Sequence, residues 1–436
     1  MPLAARASSD MLKTHRRVLL LQGPMGHFFN RLRQWLTQHG ATVFKINFNG
    51  GDRWFHRGPN TVDYTGTLGD FDDWLIVYVA THRIDAVVCF GDCREYHRIG
   101  RRVAKEHGLP FYVFEEGYVR RPDYITLELD GANGYSSLAC DAVALPHAGD
   151  EPRVRPAPRQ PTGYRFRRMA WAAMTYYGAG LIWRHRFPHY RHHKEFSPFP
   201  EIVCWVRSAL RKQWFRVREA ALRRFVSRDI AGRYFLVPLQ VFNDSQIRHH
   251  SPFEDVRDFI EDVIVSFARH APRETHLVIK HHPMDRGHRD YRRWIASLTR
   301  THGLSGRIHY LHDAHVPSLI TKSRGVVTIN STTGLSALNH GCPVYVAGRA
   351  FFDLPGLTSQ MPLAVFWRSP APVDRQRVSQ LKTYLLSMTQ HNGSFYGDSP
   401  WMRAQDAHTS IINTVPGAGD YGHSRSSISA SGEQVS

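Results

Sequence analysis

The sequence lacks any run of about 18 consecutive apolar residues, the length that a helix needs to cross a bilayer. The N-terminal region also lacks the features of a secretory signal, because its apolar run, residues 18–21, is only as long as a strand. We therefore expect a cytoplasmic protein. Its 436 residues and 42% hydrophobic content predict a folded chain of two or more domains.

Cysteine is scarce, with 5 residues scattered along the chain. An odd number without regular spacing argues against a disulfide framework. Cys89, Cys93 and His97 loosely resemble a metal-binding pattern, but no second Cys/His pair completes the four ligands of a tetrahedral site. We expect no bound metal.

Acidic residues are outnumbered by basic ones, 38 against 56, which gives a formal net charge of +18. Residues 153–228 carry most of the imbalance, with 18 Lys and Arg and only three acids. Such a segment predicts a polyanionic partner or an anionic surface. We do not expect nucleic acid as the partner, because no recognised nucleic-acid module accompanies the charge.

What the sequence does contain is a repeated alternation of apolar runs and amphipathic segments. Strands are predicted at 17–21, 41–48, 86–90, 110–114, 234–239, 275–280 and 307–310, and from 326 onward. Helices are predicted at 28–39, 68–81, 94–107, 252–270, 291–302 and 377–390. This alternation predicts an α/β fold with parallel sheets covered by helices on both faces.

The pattern divides the chain into five segments. They are an N-terminal Rossmann-like domain at 17–149, a basic helical insert at 150–230, a C-terminal Rossmann-like domain at 231–372, a closing helical segment at 373–412 and a disordered tail at 413–436. The two Rossmann-like domains are expected to face one another across a cleft.

An anion-binding turn is predicted after residue 329, where a strand passes into a helix that ends at Gly341. The turn consists of small polar residues that favour helix N-caps: Asn330, Ser331, Thr332 and Thr333. Gly334 is expected to let a ligand approach the backbone, and the positive end of the helix favours phosphate. The alternative is an ordinary capped helix without a ligand.

Other polar clusters follow predicted strands, where open α/β sheets bind ligands. The loop 23–29 lacks the Gly-x-Gly-x-x-Gly spacing, and residues 90–92 are typical of a simple turn. Glu115 and Glu116 come directly after the strand 110–114, where unpaired buried charge is costly, so we predict a functional role for one of them over a surface turn.

Two further clusters belong to the C-terminal domain. One contains Gln240, Asp244 and Ser245, and the other is Lys280-His-His-Pro at 280–283. A carboxylate from each domain across a cleft suits glycosyl transfer, because one can exchange a proton while the other attacks or stabilises the sugar's anomeric centre. Lys280, His281 and His282 would then face the phosphate or acid group of a donor.

Five motifs occur in order along most of the chain. They are Glu-Glu-Gly-Tyr at 115–118 within the segment 115–128, Pro-Leu-Gln-Val-x-x-Asp-Ser-Gln-Ile at 238–247, Lys-x-His-Pro at 280–283, Asn-Ser-Thr-x-Gly-x-x-Ala-Leu-x-x-Gly at 330–341, and Asn-Gly-Ser-Phe-Tyr at 392–396. Together they resemble the bacterial capsule polysaccharide biosynthesis and export family of the KpsS/LipB type.

The resemblance implies a GT-B-like glycosyltransferase of Gram-negative bacteria. It would use CMP-Kdo as donor, with no other cofactor, and add the sugar acid Kdo in β linkage to a (lyso)phosphatidylglycerol acceptor, with retention through a covalent intermediate. Residues 17–149 would bind the acceptor and residues 231–372 the nucleotide sugar. The enzyme would work at the inner face of the inner membrane, beside other capsule assembly and export proteins.

The resemblance also implies roles for individual residues. Asp244 is the expected nucleophile and Glu115 the expected acid/base, with Glu116 as the alternative. The residues expected to bind the nucleotide are Gln240, Lys280, His282, Pro283, Asn330, Ser331, Thr332 and Thr333.

The apolar, aromatic-rich segment 169–183 is flanked by arginines and too short to span a bilayer, which suits a membrane interface; a buried helix is the alternative. The flanking arginines are Arg165, Arg167, Arg168, Arg184 and Arg186. A different function, that of a non-enzymatic export factor that binds finished polysaccharide, would not need two strand-end carboxylates and a phosphate turn.

Overall fold

The computed structural model describes residues 7–119, 123–140, 159–164, 166–191 and 198–403. The elements below all belong to the unit Met1–Met402. The predicted tail at 413–436 and Arg165 lie outside the described residues.

The first sheet is built mainly from the N-terminal part of the chain. Its strands are β1 (Arg17–Leu20), β2 (Thr42–Asn47), β3 (Thr61–Asp63), β4 (Ala86–Phe90), β5 (Phe111–Glu116), β6 (Tyr124–Leu129) and, from far along the chain, β12 (Gln390–Asn392). They lie in the order β12-β6-β5-β4-β1-β2-β3. The strands β1 to β5 run parallel, whereas β6 is antiparallel to both of its neighbours.

The second sheet is parallel throughout. Its strands are β7 (Tyr234–Pro238), β8 (His276–Lys280), β9 (Ile308–Leu311), β10 (Gly325–Thr328) and β11 (Val344–Val346), in the order β11-β10-β7-β8-β9. The predicted pair of Rossmann-like halves is confirmed, with the chain returning to the first sheet at β12.

Helices cover both sheets. Those of the first half are α1 (Ser8–Leu12), α2 (Phe28–Gln38), α3 (Gly50–Phe55), α4 (Phe71–Thr81), α5 (Glu95–Glu106) and α6 (Ser137–Cys140). The insert contributes α7 (Phe166–Ile182), α8 (Pro198–Arg218) and α9 (Ala220–Arg228). The second half contributes α10 (Ser245–His250), α11 (Val256–His270), α12 (Arg292–Thr301), α13 (Val316–Ile320), α14 (Thr333–Asn339), α15 (Leu363–Phe366) and α16 (Arg375–Met388).

The strands are apolar on both faces because helices cover both sides of each sheet. In β1, Val18 and Leu20 pack into one core with Phe28, while Leu19 packs into the other with Leu75. Burying each such side chain contributes roughly 1.5–3 kcal/mol, so an uninterrupted apolar strand is held from two sides. This is why short apolar runs predicted the strands well.

The structure corrects two expectations about the first sheet. The strand predicted to stop at residue 114 continues through Glu116, because Glu115 and Glu116 pair with Thr126 and Ile125 of the antiparallel strand β6. The sheet is therefore mixed instead of wholly parallel. The predicted closing segment also supplies more than a helix, since β12 follows α16 and joins β6.

Both sheets reverse their strand order at one point. The reversal lies between β1 and β4 in the first sheet and between β7 and β10 in the second. At such a point the connections leave the sheet in opposite directions and open a crevice beyond the carboxyl ends of the strands. The residues that follow these strands are therefore placed to line binding sites.

The insert is helical, as predicted, and packs on both halves of the unit. Helix α7 lies against α3, where an added Cβ at Gly51 would come within 2.6 Å of the Tyr176 ring. Helix α8 lies against the turn of residues Pro283–Gly287. Within the described ranges, no helix is both long and apolar enough to cross a membrane.

Each of these two helices also exposes apolar side chains. Those of α7 are Phe166, Trp171, Met174, Leu181 and Ile182, and those of α8 are Val203, Trp205, Val206, Leu210, Trp214 and Val217. In α8 all but Trp205 follow helical spacing and share one face. Helix α7 also buries Tyr176 and Ala179. It is therefore partly buried and partly exposed.

Candidate active site

A cavity of about 970 Å³ lies between the two sheets, at the carboxyl ends of their strands. Residues after all four strands at the two reversal points reach it, among them Gly23 after β1, Gly91 after β4, Gln240 after β7 and Asn330 after β10. It is lined by every residue proposed from the sequence: Glu115, Glu116, Gln240, Asp244, Lys280, His282, Pro283, Asn330, Ser331, Thr332 and Thr333.

Glu115 lies on the first-sheet side of the cavity. Burial raises the pKa of its carboxyl to about 8, and the charges of Glu116, Asp92 and Asp244 act in the same direction. The backbone N–H of Glu116 donates to Glu115 Oε1 at 3.0 Å and partly opposes this shift. At neutral pH this carboxyl is therefore mainly protonated, which suits an acid/base residue. Burial also raises the pKa of Glu116.

Asp244 lies on the opposite, second-sheet side. It forms the N-cap of α10, and its Oδ1 accepts the backbone N–H of Gln246 at 3.0 Å. Its Oδ2 accepts only a longer hydrogen bond, 3.3 Å, from Gln240 Nε2. The carboxylate lines the cavity and is held more tightly at Oδ1 than at Oδ2, which makes Oδ2 the less constrained oxygen for attack on a sugar.

Gln240 and Asn330 hold each other beside Asp244. Gln240 Nε2 donates to Asn330 Oδ1 at 2.9 Å, Gln240 Oε1 accepts the Asn330 backbone N–H at 3.1 Å, and Asn330 Nδ2 donates to the Gln246 carbonyl at 3.0 Å. These contacts use most of the hydrogen-bonding capacity of the two amides. Their direct effect is to fix the turn that carries Asp244.

The predicted phosphate turn is present, but its details differ from expectation. Helix α14 starts at Thr333, and Ser331 forms the local contacts: its hydroxyl oxygen accepts the Thr333 N–H at 3.2 Å and its carbonyl accepts the Gly334 N–H at 2.8 Å. Gly334 does not admit a ligand, because an added Cβ would lie 2.8 Å from the Phe352 ring. That glycine serves packing. The helix ends as predicted before Gly341, whose φ is +70°.

The residues of the 280–283 motif point in different directions. Lys280 Nζ donates to the carbonyls of His281 and His312 at 2.7 and 3.2 Å, and burial lowers its pKa to about 8. His281 Nδ1 lies 2.6 Å from the Tyr310 hydroxyl, and burial lowers its pKa to about 3. Each side chain thus has protein contacts, yet both residues line the cavity, and His281 Nε2 is buried without a hydrogen-bond partner among the described residues. That they face a donor phosphate stays a prediction.

His282 also lines the cavity and is the N-cap of the turn that follows β8. Its Nδ1 accepts the Met284 backbone N–H at 3.2 Å, which caps the turn begun by Pro283. A neutral ring with Nδ1 as acceptor carries its proton on Nε2. The Met284 contact fixes the orientation of the ring.

The two sides of the cavity are joined beneath Asp244. Cys93 Sγ lies 3.7 Å from His250 Nε2 and accepts a hydrogen bond from Gln246 Nε2 at 3.4 Å, while the His250 ring packs edge-on against Tyr135 at 4.3 Å between centroids. Helix α10 is thereby anchored to the first half. No group of three or more His, Cys, Asp or Glu among the described residues is arranged to hold a metal ion.

Several lining residues were not proposed from the sequence. Arg94, Tyr176, Tyr177 and Tyr396 all contribute to the wall of the cavity. The turn at 90–92, interpreted as a simple turn, places Gly91 in the wall but turns Asp92 inward, where its Oδ2 accepts the Ala132 N–H at 2.8 Å. Arg94 follows this turn. Its position after a predicted strand was therefore the signal in the sequence that could have identified it as a lining residue.

Comparison with known proteins places the chain in a family. Residues 85–396 match the family model described as capsule polysaccharide biosynthesis protein. The chain is 44% identical over 391 residues to the capsule polysaccharide export protein KpsS of Escherichia coli, which covers 88% of this chain and 98% of that protein. It is 42% identical over 414 residues to the capsule polysaccharide modification protein LipB of Neisseria meningitidis serogroup B, covering 92% and 97%.

A structure of Thermosulfurimonas dismutans KpsC, a β Kdo 2,7 transferase, aligns with 83% of this chain and 88% of its own at 14% identity, with a TM-score of 0.40. The family model and the two sequence relatives confirm the resemblance of the motifs. The chain belongs to the capsule polysaccharide biosynthesis family, among proteins of the KpsS/LipB type.

Proposed function

We propose that this protein is a retaining glycosyltransferase that transfers β-linked Kdo from CMP-Kdo to a phosphatidylglycerol-type lipid. The observation that carries the proposal is the pair of Glu115 and Asp244, one carboxyl from each sheet in a single cavity, with the charge of Asp244 raising the pKa of Glu115. Membership of the capsule family supports a role in capsule assembly. The donor, the acceptor and the stereochemistry rest on the resemblance of the motifs.

In the first step, Asp244 Oδ2 attacks the anomeric carbon of the sugar. The bond from that carbon to the phosphate oxygen breaks, and CMP leaves with the bonding electrons. A phosphate monoester is a stable leaving group and needs no proton, so Glu115 has no task in this step. The 3.0 Å bond from the Gln246 N–H holds Asp244 Oδ1 while Oδ2 forms the sugar ester.

In the second step, the acceptor hydroxyl oxygen attacks the same carbon, its proton passes to Glu115 and Asp244 is released. Two displacements on opposite faces give net retention. The first step prepares the second, because forming the ester removes the negative charge that raises the pKa of Glu115. The ionised form needed for proton abstraction becomes more abundant when the acceptor reacts.

The second-sheet side is the proposed nucleotide site. His282 and the turn from Ser331 to Thr333 at the start of α14 line the cavity there. Gln240 and Asn330 would act mainly by holding Asp244. Pro283 would shape the turn that orients His282.

We also propose that the insert attaches the protein to the inner face of the inner membrane. The exposed apolar side chains of α7 are flanked by the exposed arginines Arg167, Arg168 and Arg184, and those of α8 share their helix with the exposed Arg216 and Arg218. An anionic membrane matches both features, and each basic residue near such a surface contributes about 1 kcal/mol. A second copy of the chain fits less well because like charges would meet.

The experiment that tests the function is mass spectrometry of lysophosphatidylglycerol after incubation with the protein and a system that generates CMP-Kdo. The expected result is a lipid heavier by Kdo, with CMP released in equal amount, and none with Asp244→Asn. A protein that binds capsule polysaccharide but releases no CMP and modifies no lipid would instead be an export factor, and the proposal would be wrong.

A further inference from the structure

Arg94 is a cation in the cavity wall to which the mechanism above assigns no role. It directly precedes α5, on the first-sheet side, and is half-buried. Its guanidinium carbon lies 5.5 Å from the centre of the Phe90 ring, and its Nη1 donates to Gln22 Oε1 at 2.7 Å. An aromatic face and one neutral acceptor thus fix the group.

A buried network orients that acceptor. Gln22 is 3% exposed, and its Nε2 lies 3.1 Å from Asp52 Oδ2 and 2.9 Å from the Tyr176 hydroxyl. Asp52, 2% exposed, also accepts the Tyr176 hydroxyl at 3.0 Å and the Phe48 backbone N–H at 3.1 Å. Because an ionised carboxylate only accepts hydrogen bonds, the amide nitrogen of Gln22 faces Asp52 and its oxygen faces Arg94.

The remaining donors of Arg94 have no protein acceptor in the described part of the chain. Its one hydrogen bond there uses Nη1, and no carboxylate lies within ion-pair distance, although Glu115, Glu116 and Asp244 line the same cavity. The other basic side chain among the described lining residues, Lys280, donates to two carbonyls. Arg94 is therefore an oriented positive charge that the protein leaves unpaired in a cavity rich in carboxylates.

We propose that Arg94 binds an oxyanion of a substrate in this cavity, through the charge-assisted, forked hydrogen bonds typical of guanidinium with carboxylate or phosphate. Two groups offer this chemistry: the phosphodiester of the lipid acceptor and the carboxylate of the donor sugar. Gln22, Asp52 and Tyr176 are positioning residues, because Gln22 holds the guanidinium directly and the other two orient Gln22. This inference rests on the proposed function for the identity of the two substrates.

The test compares Arg94→Gln and Arg94→Lys with a matched control, Arg98→Gln, which removes an exposed arginine one turn along the same helix. Glycerol 3-phosphate and free Kdo are titrated separately by calorimetry into each protein saturated with CMP. Loss of a forked charge-assisted contact should weaken one of the two ligands by about 10- to 100-fold in Arg94→Gln. Arg94→Lys should recover part of the lost affinity. The control Arg98→Gln should bind both ligands as the wild type does.

Steady-state kinetics identify the source. A raised KM for lysophosphatidylglycerol alone assigns the phosphodiester, and a raised KM for CMP-Kdo alone assigns the sugar carboxylate. Gln22→Leu should shift the same KM in the same direction by a smaller factor, because it frees the guanidinium without removing it. Unchanged melting temperature and CMP affinity in Arg94→Gln show that the fold and the nucleotide site are intact.

The inference is overturned if Arg94→Gln behaves as Arg98→Gln in both titrations and both KM values, or if the wild-type protein with CMP binds neither probe. If the protein binds a probe through Arg94 but transfers no sugar, the inference about Arg94 is supported and the proposed function is wrong. The two failures are thus distinguishable.

Discussion

The pH dependence of transfer is the most direct test of Glu115. Burial, with the charges of Glu116, Asp92 and Asp244, raises the pKa of this carboxyl to about 8. As the base for the acceptor hydroxyl it must be ionised. For a pKa of about 8, the ionised fraction rises about tenfold from pH 7 to pH 9. Because the sugar ester removes one of the charges that raise this pKa, the rate should rise with pH at or below this range.

The assay is the rate of lysophosphatidylglycerol modification at saturating CMP-Kdo between pH 6 and pH 9.5. Glu115→Gln should lose about 10²- to 10⁴-fold in kcat and show no rising limb. Glu116→Gln should keep the limb; if the limb disappears there and persists in Glu115→Gln, the two glutamates exchange roles. A wild-type profile that is flat or falls between pH 6 and pH 8 would refute the assignment of a base with a raised pKa.

A stability measurement checks the same pKa without activity. A carboxyl whose pKa is raised above its ordinary value of 4.5 stabilises the fold fully only below that value, and the contribution is lost as the pH rises through about 8. The melting temperature of wild type should therefore fall relative to Glu115→Gln between pH 5 and pH 8 and level off above. In Asp244→Asn the fall should level off at a lower pH, since one of the charges that raise the folded-state pKa is gone.

Three further predictions follow from the site and the insert. Asp244→Asn should abolish transfer yet leave the melting temperature near wild type at neutral pH, because asparagine can still cap α10; appreciable turnover would exclude Asp244 as nucleophile. His282→Ala and Ser331→Ala should each weaken CMP binding in calorimetry with smaller effects on kcat, and unchanged affinity in both would remove the second-sheet side from the nucleotide site. Replacing Arg167, Arg168 and Arg184 by Gln should reduce sedimentation with phosphatidylglycerol vesicles, as should added salt, but spare transfer to a short soluble acceptor; equal losses on both acceptors would contradict the membrane role.

Much of the fold was predictable because its signals are local. The strands between helices are buried on both faces, so each is an apolar run bounded by turn residues, and a parallel sheet places the residues after its strands at one edge. Every site residue proposed from the sequence lines the cavity for that reason. The catalytic and binding roles of those residues stay predictions.

The features that were missed depend on contacts between distant segments. Strand β12 joins the first sheet through pairs such as Gln390 with Thr126, and β6 extends β5 past Phe114. The directions of Lys280 and His281 are set by the carbonyl of His312 and the hydroxyl of Tyr310. The hydrophobic pattern of a single segment carries no information about hydrogen-bond or strand partners that are distant in the sequence.

Gly334 shows a second reason why a prediction from the sequence can be wrong. A glycine at the start of a helix is compatible with close approach of a ligand or of another side chain, and only the position of Phe352 decides between them. Arg94 is the converse case. The residue follows a strand end, but its acceptor Gln22 is oriented by Asp52 and Tyr176, and the tyrosine comes from the insert.

The insert is therefore part of the site's support. Helix α7 supplies Tyr176 to the network that orients Arg94, and α8 supplies Phe215, whose ring stacks on His312 at 3.7 Å. Glu219, between α8 and α9, accepts the His312 backbone N–H at 2.9 Å and lies 2.7 Å from its Nδ1. Deleting the insert would remove the Tyr176 hydrogen bond from Asp52 and the Glu219 hydrogen bonds from His312, a loss of roughly 1–3 kcal/mol for each buried group left unsatisfied. A deletion would thus damage both sides of the cavity at once, and only substitutions on the exposed faces of α7 and α8 can separate membrane contact from catalysis.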